Sequence, residues 1–502
     1  AAGKACLICA RGVHIRWIRC DYVTVTRVLR ATGTGSAQSF ISMAYYFKAF
    51  SLSFFVFCGI PTGAFGAGNA LFLGEYQVYM ETNIVELAAA RESWLAFLNE
   101  KRAKQHLSSR EDRQIRDFIE RQGYVPLCET CRQGVFPGSL PSKYIINKEG
   151  SSKRRVVYTF PGDEGIFLKF IAHGLNMYEH RLSDSCYAFR RQVGAREATL
   201  RLRRERRVKD SWCLKADISN YFNSIDVARL LPKLAFLREG NPEVHSLLTR
   251  LLTEERVLEE GRQIRERHGV MAGTPTSPFL ANLYLAEVDR FFEEKEVLYL
   301  RYSDDILLFA ASREELLHRQ EQLYGQLTAL GLSVNPDKVS ITGPGEPFEF
   351  LGVAHYRGEV DLSANTMCKI KAKIRRKSEA LRRWQRRKGL APDKAAVGLI
   401  HAMNQKFYGY GDPYDRDGLL EDAFTWSRWF FPLLTRDRGL KEIDAYMQKY
   451  IRYAVTGRHN KGNYRISYEQ LRLWGYVSLV HEYHRHKKET ELLHFGDFSS
   501  IL

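Results

Sequence analysis

Two adjacent acids, Asp304 and Asp305, lie between two apolar runs, residues 297–300 and 306–309. This spacing predicts a β-hairpin with the acids at its tip, in the sequence Tyr302-Ser303-Asp304-Asp305. Neighbouring carboxylates repel each other at neutral pH, and a divalent cation would offset that repulsion. The pattern therefore indicates a metal site. Taken alone, the tetrapeptide also fits a solvated turn, which is the commoner origin of such a pair.

A third acid, Asp217, ends a predicted short strand that starts at Leu214. An acid that leaves the end of a strand is well placed to meet the acids of a neighbouring hairpin. Phosphoryl transfer by two metal ions needs carboxylates that bridge cations roughly 3.5 to 4 Å apart. Asp217, Asp304 and Asp305 supply such a set.

Between these acids lies a loop rich in glycine and proline, residues 269–278, which runs into an apolar helix. Glycine allows the backbone to approach a flat base or a sugar-phosphate closely. An ordinary loop with a helix cap is the alternative for this segment in isolation.

The elements that must position these residues follow from the periodicity of the chain. Residues 84–122 have helical spacing, and residues 143–147 and 153–160 read as a hairpin with a polar turn, whose return strand starts with the three cations Lys153, Arg154 and Arg155. After residue 362 the pattern is almost wholly helical, and it opens with a basic segment, residues 369–388. Basic runs on helices are often solvated faces, so phosphate contact is one of two interpretations.

The composition favours a nucleic-acid partner. The 502 residues include 75 Lys and Arg against 58 Asp and Glu, a formal net charge of +17. Basic surfaces bind phosphates by releasing counterions, although a merely soluble basic protein has the same balance. The length predicts two to four domains. Nine cysteines, mostly single, fit a reducing cytoplasm, and zinc shared by Cys6/Cys9 and Cys128/Cys131 is not favoured.

The first 79 residues differ from the remainder. They contain few acids and lack helical periodicity, and the uncharged run at 49–74 is interrupted by glycines and a proline, which disfavours a membrane span. We expect no membrane association. We also expect that this segment lies upstream of the true start and that Met80 begins the functional protein, which amino-terminal sequencing of the native product would test.

Five ordered motifs resemble the palm motifs of bacterial reverse transcriptases of the retron, group II intron and defence-associated kind. The match spans about residues 140–355, and Ser185 to Arg190 resembles an element of the fingers. The motifs are Asp217 with Phe222, Gly273-x-Pro275-x-Ser277-Pro278 followed by Leu280-Ala281-Asn282, Tyr302-x-Asp304-Asp305, Gly331 to Lys338, and Phe348 to Gly352.

The resemblance implies an α+β fold of the right-hand polymerase type, with an antiparallel palm sheet packed on helices and a helical thumb. It divides the chain into an uncertain segment 1–79, a helical extension 80–140, fingers and palm 141–361, and a thumb with a carboxy-terminal RNA-binding region 362–502.

The resemblance also implies roles for individual residues. Asp217 and Asp304 would bind two Mg²⁺ ions, or Mn²⁺, with Asp305 assisting and Ile218 at the same metal site. Lys338 is similar to the lysine proposed to protonate the leaving pyrophosphate, and its alternative is an exposed lysine after a turn. Arg154, Arg155, Phe222 and Gly273 would bind the nucleotide, with Phe222 as the gate that rejects a 2′-hydroxyl. The nucleic acid would meet a primer grip and basic thumb residues, namely Phe350, Leu351, Gly352, Lys369, Arg375 and Arg376.

The expected activity is RNA-directed DNA synthesis from dNTPs, with an RNA template and a DNA product. Many relatives have Pro-Gln-Gly where this chain has Met271-Ala272-Gly273, which puts ordinary template handling in question. No His/Cys cluster follows the thumb in the sequence, which does not support an intron-mobility endonuclease. These features favour a defence-associated enzyme that works with a structured noncoding RNA in the bacterial cytoplasm. A maturase-like RNA-binding protein and a template-independent DNA polymerase are the alternatives.

Overall fold

The computed structural model of the chain describes residues 4–8, 15–19, 83–103, 107–147, 154–409 and 425–496. The chain divides into two compact units, residues 1–76 and 77–502. In the first unit, strands β1 (Lys4–Ile8) and β2 (Ile15–Arg19) pair antiparallel. Met80, Cys9 and Lys153 lie outside the described residues. All other described helices and strands belong to the second unit.

A helical layer opens the second unit. Its helices are α1 (Ile84–Ala89), α2 (Arg91–Ala103), α3 (Ser109–Glu120) and α4 (Tyr124–Arg132), followed after a pair of strands at 142–147 and 154–159 by α5 (Gly162–Leu175). The fully buried Trp94 is at the centre of this layer. Its indole nitrogen donates to the Ala88 carbonyl at 2.7 Å, and its ring lies 4.4 Å from that of Phe170. One aromatic side chain thus connects α2 to α5.

Three sheets follow the helical layer. Their strands are β3 (Ser142–Asn147), β4 (Arg154–Thr159), β5 (Trp212–Asp217), β6 (Arg256–Glu259), β7 (Arg262–Arg265), β8 (Tyr299–Tyr302), β9 (Asp305–Ala310), β10 (Ser340–Thr342), β11 (Phe348–Phe350), β12 (Val353–Tyr356) and β13 (Glu359–Leu362). The first sheet has the strand order β4-β3-β6-β7, the second β10-β5-β9-β8, and the third β11-β12-β13.

The helices between these strands are mostly short. They are α6 (Ala195–Arg204), α7 (Tyr221–Ser224), α8 (Val227–Leu230), α9 (Leu237–Gly240), α10 (Pro242–Thr253), α11 (Ser277–Glu294) and α12 (Arg313–Ala329). Single 3₁₀ turns cover 176–181, 206–210, 231–234 and 336–338.

The second sheet is buried on both faces. Side chains alternate along a strand, so Leu214 and Leu308 face one side while Cys213 and Phe309 face the other. The first pair belongs to the large core that includes α11 and α12, and the second pair packs with β11 and α6. Burial on both faces explains why β9 reads as an unbroken apolar run rather than an alternating one.

The remainder is helical, as the sequence predicts. The helices are α13 (Ala364–Arg387), α14 (Asp393–Tyr408), α15 (Trp426–Phe430), α16 (Arg438–Thr456), α17 (Tyr468–Leu473) and α18 (Leu479–Gly496), with a 3₁₀ turn at 461–465. They enclose a separate core with fully buried Leu399, Ile443 and Ile451. Among the described helices, none combines the length and the apolar character that a membrane crossing needs.

The buried carboxylate of Asp444 fixes the start of α18. It accepts hydrogen bonds from the Tyr476 hydroxyl at 2.8 Å, the Ser478 hydroxyl at 2.6 Å, and the backbone amides of Leu479 at 2.9 Å and Val480 at 3.1 Å. A negative charge at a helix amino terminus also interacts favourably with the helix dipole. Asp444 therefore joins α16 to α18.

We expect Asp444→Ala to destabilise the carboxy-terminal helices by about 3 kcal/mol, because four donors lose a charged acceptor. Thermal unfolding and limited proteolysis would measure the change. Glu314→Ala, at an exposed position of α12, is the control and should change stability by less than about 0.5 kcal/mol. Equal melting temperatures for both variants would contradict this role of Asp444.

Candidate active site

The two adjacent acids lie at the tip of a hairpin, as the sequence predicts. Tyr302 pairs with Asp305 across β8 and β9, so Ser303 and Asp304 form a two-residue turn. Ser303 has φ of 61°, the left-handed conformation that two-residue hairpin turns favour. The turn presents the Asp304 side chain at the end of a sheet that is otherwise buried.

Asp217 meets this hairpin from the neighbouring strand. It pairs directly with Asp305 in the antiparallel register of β5 and β9, which places both side chains on the same face of the sheet. The Ile218 amide donates to the Asp304 carbonyl at 3.1 Å. The structure thus brings together the backbones of Asp217, Ile218, Asp304 and Asp305, four residues that the sequence assigned to one site.

Burial and mutual repulsion disfavour the ionised form of the hairpin acids. The pKa of Asp304 is raised, first by burial and second by the negative charge of Asp217. The pKa of Asp305 is raised by burial, while the nearby Lys215 ammonium acts in the opposite direction. A group of acids whose charge is unfavourable in this way gains stability from a bound cation.

The donor chemistry fits magnesium, because carboxylate oxygens are the ligands that hard divalent cations prefer. In the part of the chain that the structure describes, however, no three His, Cys, Asp or Glu side chains converge in the geometry of a metal site. One oxygen of Asp217 is instead engaged by Lys338, whose Nζ lies 2.5 Å from Asp217 Oδ1. A cation at Asp217 would compete with this ammonium for the same oxygen.

Lys338 reaches Asp217 because its segment is fastened to the end of β5. The Asn335 amide donates to the Asp217 carbonyl at 2.8 Å, and the Ser219 amide donates to the Ser333 carbonyl at 2.8 Å. The 3₁₀ turn that follows projects the lysine back toward the acids. Lys338 is thus an exposed lysine in a turn that also contacts Asp217.

The glycine-rich loop contacts the residue that the resemblance assigns to sugar selection. The Val270 amide donates to the Phe222 carbonyl at 2.9 Å. Gly269 has φ of 55°, and a β-carbon there would lie 2.2 Å from the same carbonyl oxygen. Only glycine permits this approach, so the loop fixes the backbone of Phe222.

The same loop also contacts strand β4 of the β3–β4 hairpin. The Tyr158 amide donates to the Ala272 carbonyl at 2.8 Å. Gly273 has φ of 104°, and its β-carbon would lie 2.9 Å from the Tyr158 carbonyl oxygen and 3.2 Å from the Val157 side chain. The loop therefore connects Phe222 to β4.

The contact with β4 distinguishes the two predicted nucleotide-binding arginines. Neighbouring residues of a strand face opposite sides, so Arg155 shares the face of Val157, which points to the glycine loop, while Arg154 lies on the other face. The positive charge of Arg155 also offsets a small part of the rise in the pKa of Asp304, whose largest cause is burial. The strand geometry therefore places Arg155, rather than Arg154, on the side of the glycine loop.

Three aromatic side chains border the acids. The Phe222 ring lies 6.1 Å from the ring of Phe189, which in turn lies 6.4 Å from that of Tyr302. Phe189 is 47% exposed, which is unusual for a phenylalanine that contacts other rings. The ring planes are inclined, by 81° between Phe189 and Phe222 and by 40° between Phe189 and Tyr302, so the three side chains offer an apolar but uneven aromatic surface to a sugar or a base.

A buried ion pair that the sequence analysis missed supports the hairpin. Arg301 and Asp289 are both fully buried and join at 2.6 Å. Arg301 also donates to the Ser303 carbonyl at 3.1 Å, and the Tyr299 hydroxyl donates to Asp289 at 2.9 Å. The available signal was a charge of each sign inside otherwise apolar segments, since buried charges occur almost only in pairs.

The predicted nucleic-acid residues lie in two places, the end of β11 with its following turn, and helix α13. Phe350 is buried, so its side chain serves the core, and Leu351 and Gly352 form the turn between β11 and β12 with positive φ values of 49° and 89°. Lys369 and Arg376, seven positions apart, share one exposed side of α13, and Arg375 is exposed beside them. The turn and the helix are thus accessible, whereas the Phe350 ring is not.

Residues 146–355 match the family described as reverse transcriptase (RNA-dependent DNA polymerase). Over 168 residues the chain is 24% identical to the retron Ec86 reverse transcriptase of Escherichia coli. That similarity covers 33% of this chain and 48% of the relative, so the chain spans about half the length of the curated relative that it matches. The matches confirm the predicted resemblance to bacterial reverse transcriptases and the α+β right-hand polymerase fold.

Two solved structures are more distantly similar. Apo telomerase from Candida tropicalis is 12% identical with a TM-score of 0.38, covering 63% of this chain and 57% of that one. Telomerase from Candida albicans with the TWJ fragment of telomeric RNA is 11% identical with a TM-score of 0.37, covering 67% and 62%. The assignment of the domain therefore comes from the sequence match.

We expect Asp304→Asn to raise the melting temperature of the metal-free protein at neutral pH. Because the pKa of Asp304 is raised on folding, its contribution to stability is present at low pH and is lost as pH rises through the folded pKa. The difference in melting temperature between the variant and the wild type should therefore disappear near pH 4, which is about the pKa of an aspartate in the unfolded chain. A thermal-shift series in EDTA would measure it.

With magnesium bound, the wild type should become more stable than Asp304→Asn. At about a hundred times the dissociation constant, magnesium would stabilise the wild type by about 2.7 kcal/mol, and Asp304→Asn by less. Asp117→Asn, at an exposed position of α3, should follow the wild type throughout. A lower melting temperature for metal-free Asp304→Asn than for the wild type would contradict the repulsion among these acids.

Proposed function

We propose that this chain, whose residues 146–355 form a reverse transcriptase domain, is an RNA-directed DNA polymerase that makes cDNA by nucleotidyl transfer. The observation that carries the proposal is the register of β5 and β9, which sets Asp217 opposite Asp305 and next to Asp304. A protein that only bound RNA would have no use for three acids that repel one another beside the exposed aromatic side chain of Phe189.

The proposed mechanism assigns each residue a place around the incoming dNTP. Asp217 and Asp304, with the Ile218 backbone and help from Asp305, would hold two Mg²⁺ ions. When bound, these ions supply a lowered pKa for the attacking 3′-hydroxyl and charge stabilisation for the leaving phosphates. The Arg155 side chain would hold the triphosphate, since it lies on the face of β4 that points to the glycine loop.

Lys338 would act as the proton donor for the leaving pyrophosphate. Its ammonium lies 2.5 Å from Asp217 and is thus held beside the acids. The sugar would rest on Phe222, whose backbone is fixed by Val270 and Gly269. The duplex would lie along the turn at Leu351 and Gly352 and the basic side of α13.

We further propose that the template is a dedicated structured RNA in a bacterial defence setting. The support is the match to a retron reverse transcriptase and the formal net charge of +17. Ala272 stands where many relatives have the glutamine that lies near the nucleotide and template, and an alanine side chain offers no polar contact there. Sequencing the nucleic acid that co-purifies with the protein would identify the template.

The second candidate function is a maturase-like RNA binder. The basic exposed side of α13 would serve it equally well. Incubation of the purified protein with Mg²⁺, dNTPs and co-purified RNA separates the two, since a binder retains RNA without incorporating nucleotides. Products that do not copy the RNA would instead indicate template-independent synthesis.

We expect Asp304→Asn to lower dNTP incorporation on a primed RNA template by about a thousandfold or more, because charge stabilisation at the reacting phosphate is lost. RNA affinity should stay unchanged or rise, since one negative charge is removed. Asp117→Asn is the matched control for both measurements. Full synthesis by Asp304→Asn would show that the metal assignment is wrong.

We expect Phe222→Ala to admit ribonucleotides. The ratio of rNTP to dNTP incorporation should rise about tenfold to a hundredfold, because a steric contact with the 2′-hydroxyl is removed. Measuring the ratio by competition in one reaction corrects for any general loss of activity. An unchanged ratio would remove the gate role from Phe222.

A further inference from the structure

A cavity of about 410 Å³ lies between the end of α6 and the hairpin of β12 and β13. We call it the α6–β12 cavity. Its volume lies within the range of small-molecule sites, roughly 300 to 1,000 Å³. The residues that characterise its chemistry are Arg203, Arg206, Lys209, His355, Tyr356 and Arg357.

His355 is the buried polar group of this cavity. It is 4% exposed, and its Nε2 atom has no hydrogen-bond partner among the described residues. Burial lowers its pKa to about 4, so the ring is neutral at physiological pH and has one donor and one acceptor nitrogen. A buried nitrogen without a partner is unfavourable by about 1 to 3 kcal/mol, which indicates that a ligand supplies the partner.

Aromatic side chains lie on both faces of β12 at this cavity, with Phe348 on the face of His355 and Tyr356 on the other. The Phe348 ring stacks on the His355 ring at 4.9 Å and 7°. Tyr356 is 41% exposed, and the Arg357 guanidinium lies 5.2 Å above its ring. Flat rings beside a guanidinium are the surfaces on which unpaired bases stack.

The cavity carries an excess of positive charge. Within the described parts of the chain, neither Arg206 nor Arg357 has an ion pair, while Arg203 donates only to the Pro432 carbonyl at 3.2 Å. The two acids of the lining are already engaged: Glu205 binds Arg207 at 3.0 Å, and Glu346 accepts from the Gly343 amide at 2.6 Å. The unpaired cations are therefore available to a phosphate.

The cavity is separate from the acids of the active site. It adjoins the beginning of β5, where Trp212 contacts the segment after β10, whereas Asp217 ends the same strand. Five steps along a strand amount to about 17 Å. It also lies at the Arg357–Gly358 turn, at the other end of β12 from the predicted primer grip at Leu351 and Gly352.

We propose that the α6–β12 cavity binds one unpaired nucleotide of an RNA strand. Arg206, Arg357 and Lys209, which also pairs with Asp210 at 3.8 Å, contact its phosphates. Its base hydrogen-bonds to His355 Nε2, while Tyr356, on the other face of β12, borders the cavity beside Arg357. The inference rests on the proposed function only in taking RNA as the partner. Such a site would anchor the RNA near the end of β5 that lies opposite Asp217, independently of synthesis.

The test measures RNA binding in EDTA without dNTPs, so that catalysis plays no part. The probes are fluorescent single-stranded 12-mers of uridine and of adenosine, with a 12-base-pair RNA duplex for comparison. The variants are His355→Phe, which keeps the stacked ring, and the double variant Arg206→Gln/Arg357→Gln. The matched control is Arg110→Gln/Arg113→Gln, at exposed positions of α3.

We expect the Arg206/Arg357 double variant to bind the single strands about tenfold more weakly and to lower the salt slope by about 1.4, for two lost phosphate contacts. His355→Phe should weaken binding about threefold to tenfold with an unchanged slope. The control variant and the duplex should show no such change. A 4-thiouridine probe should crosslink to the peptide that contains Tyr356.

Two results would overturn the proposal. Wild-type affinity and salt slope in both test variants would show that the cavity takes no RNA. Competition by free AMP, with the same dependence on His355, would identify a free nucleotide as the occupant instead. Failure of the proposed polymerase activity is distinguishable, because it appears as lost incorporation on a primed template while binding in EDTA stays intact.

Discussion

Like-charge repulsion among Asp217, Asp304 and Asp305 is the constraint on which the rest of this structure depends. The sheet forces them together, because Asp217 pairs with Asp305 and the two-residue turn puts Asp304 beside both. The protein offsets part of the repulsion with the Lys338 ammonium. The pKa values of the hairpin acids are raised, first by burial and then by their acidic neighbours, so the ionised forms stay unfavourable and binding of a cation relieves this cost.

A site under such repulsion needs rigid support, and the buried pair of Arg301 and Asp289 provides it. Replacing one member of a buried pair leaves an uncompensated charge, so the pair holds its geometry strictly. Arg301 pairs with Asp289 of helix α11 and donates a hydrogen bond to the Ser303 carbonyl. It therefore anchors the turn of the hairpin to α11. On the other side, Gly269 and Gly273 let one loop contact both Phe222 and β4. The glycine loop thus links Phe222 to the β3–β4 hairpin through backbone contacts, and the buried Arg301 side chain holds the turn that carries Asp304.

Much of this arrangement could be predicted from the sequence, and what could not has physical reasons. The hairpin, the acid at the end of β5 and the basic α13 follow from local periodicity. Which of Arg154 and Arg155 faces the glycine loop depends on the contact between β4 and that distant loop. The burial of Phe350 depends on the packing of β11 against α6, which local sequence does not encode. His355 looks like a surface residue by type, and only the sheet register places it under Phe348. Sequence thus specified the residues of the site better than the directions in which their side chains point.

Strand β5 connects the two regions of chemistry in the molecule. It begins beside the α6–β12 cavity and ends at Asp217, and it is hydrogen-bonded on both sides, to β9 and to β10. A strand paired on both edges cannot slide without breaking both ladders, because a shift by one residue reverses every side chain. The distance between the cavity and the acids is therefore fixed by covalent geometry and register. An RNA strand that is bound at both ends of β5 would therefore span a constant distance over the sheet, because the two binding points do not move relative to each other.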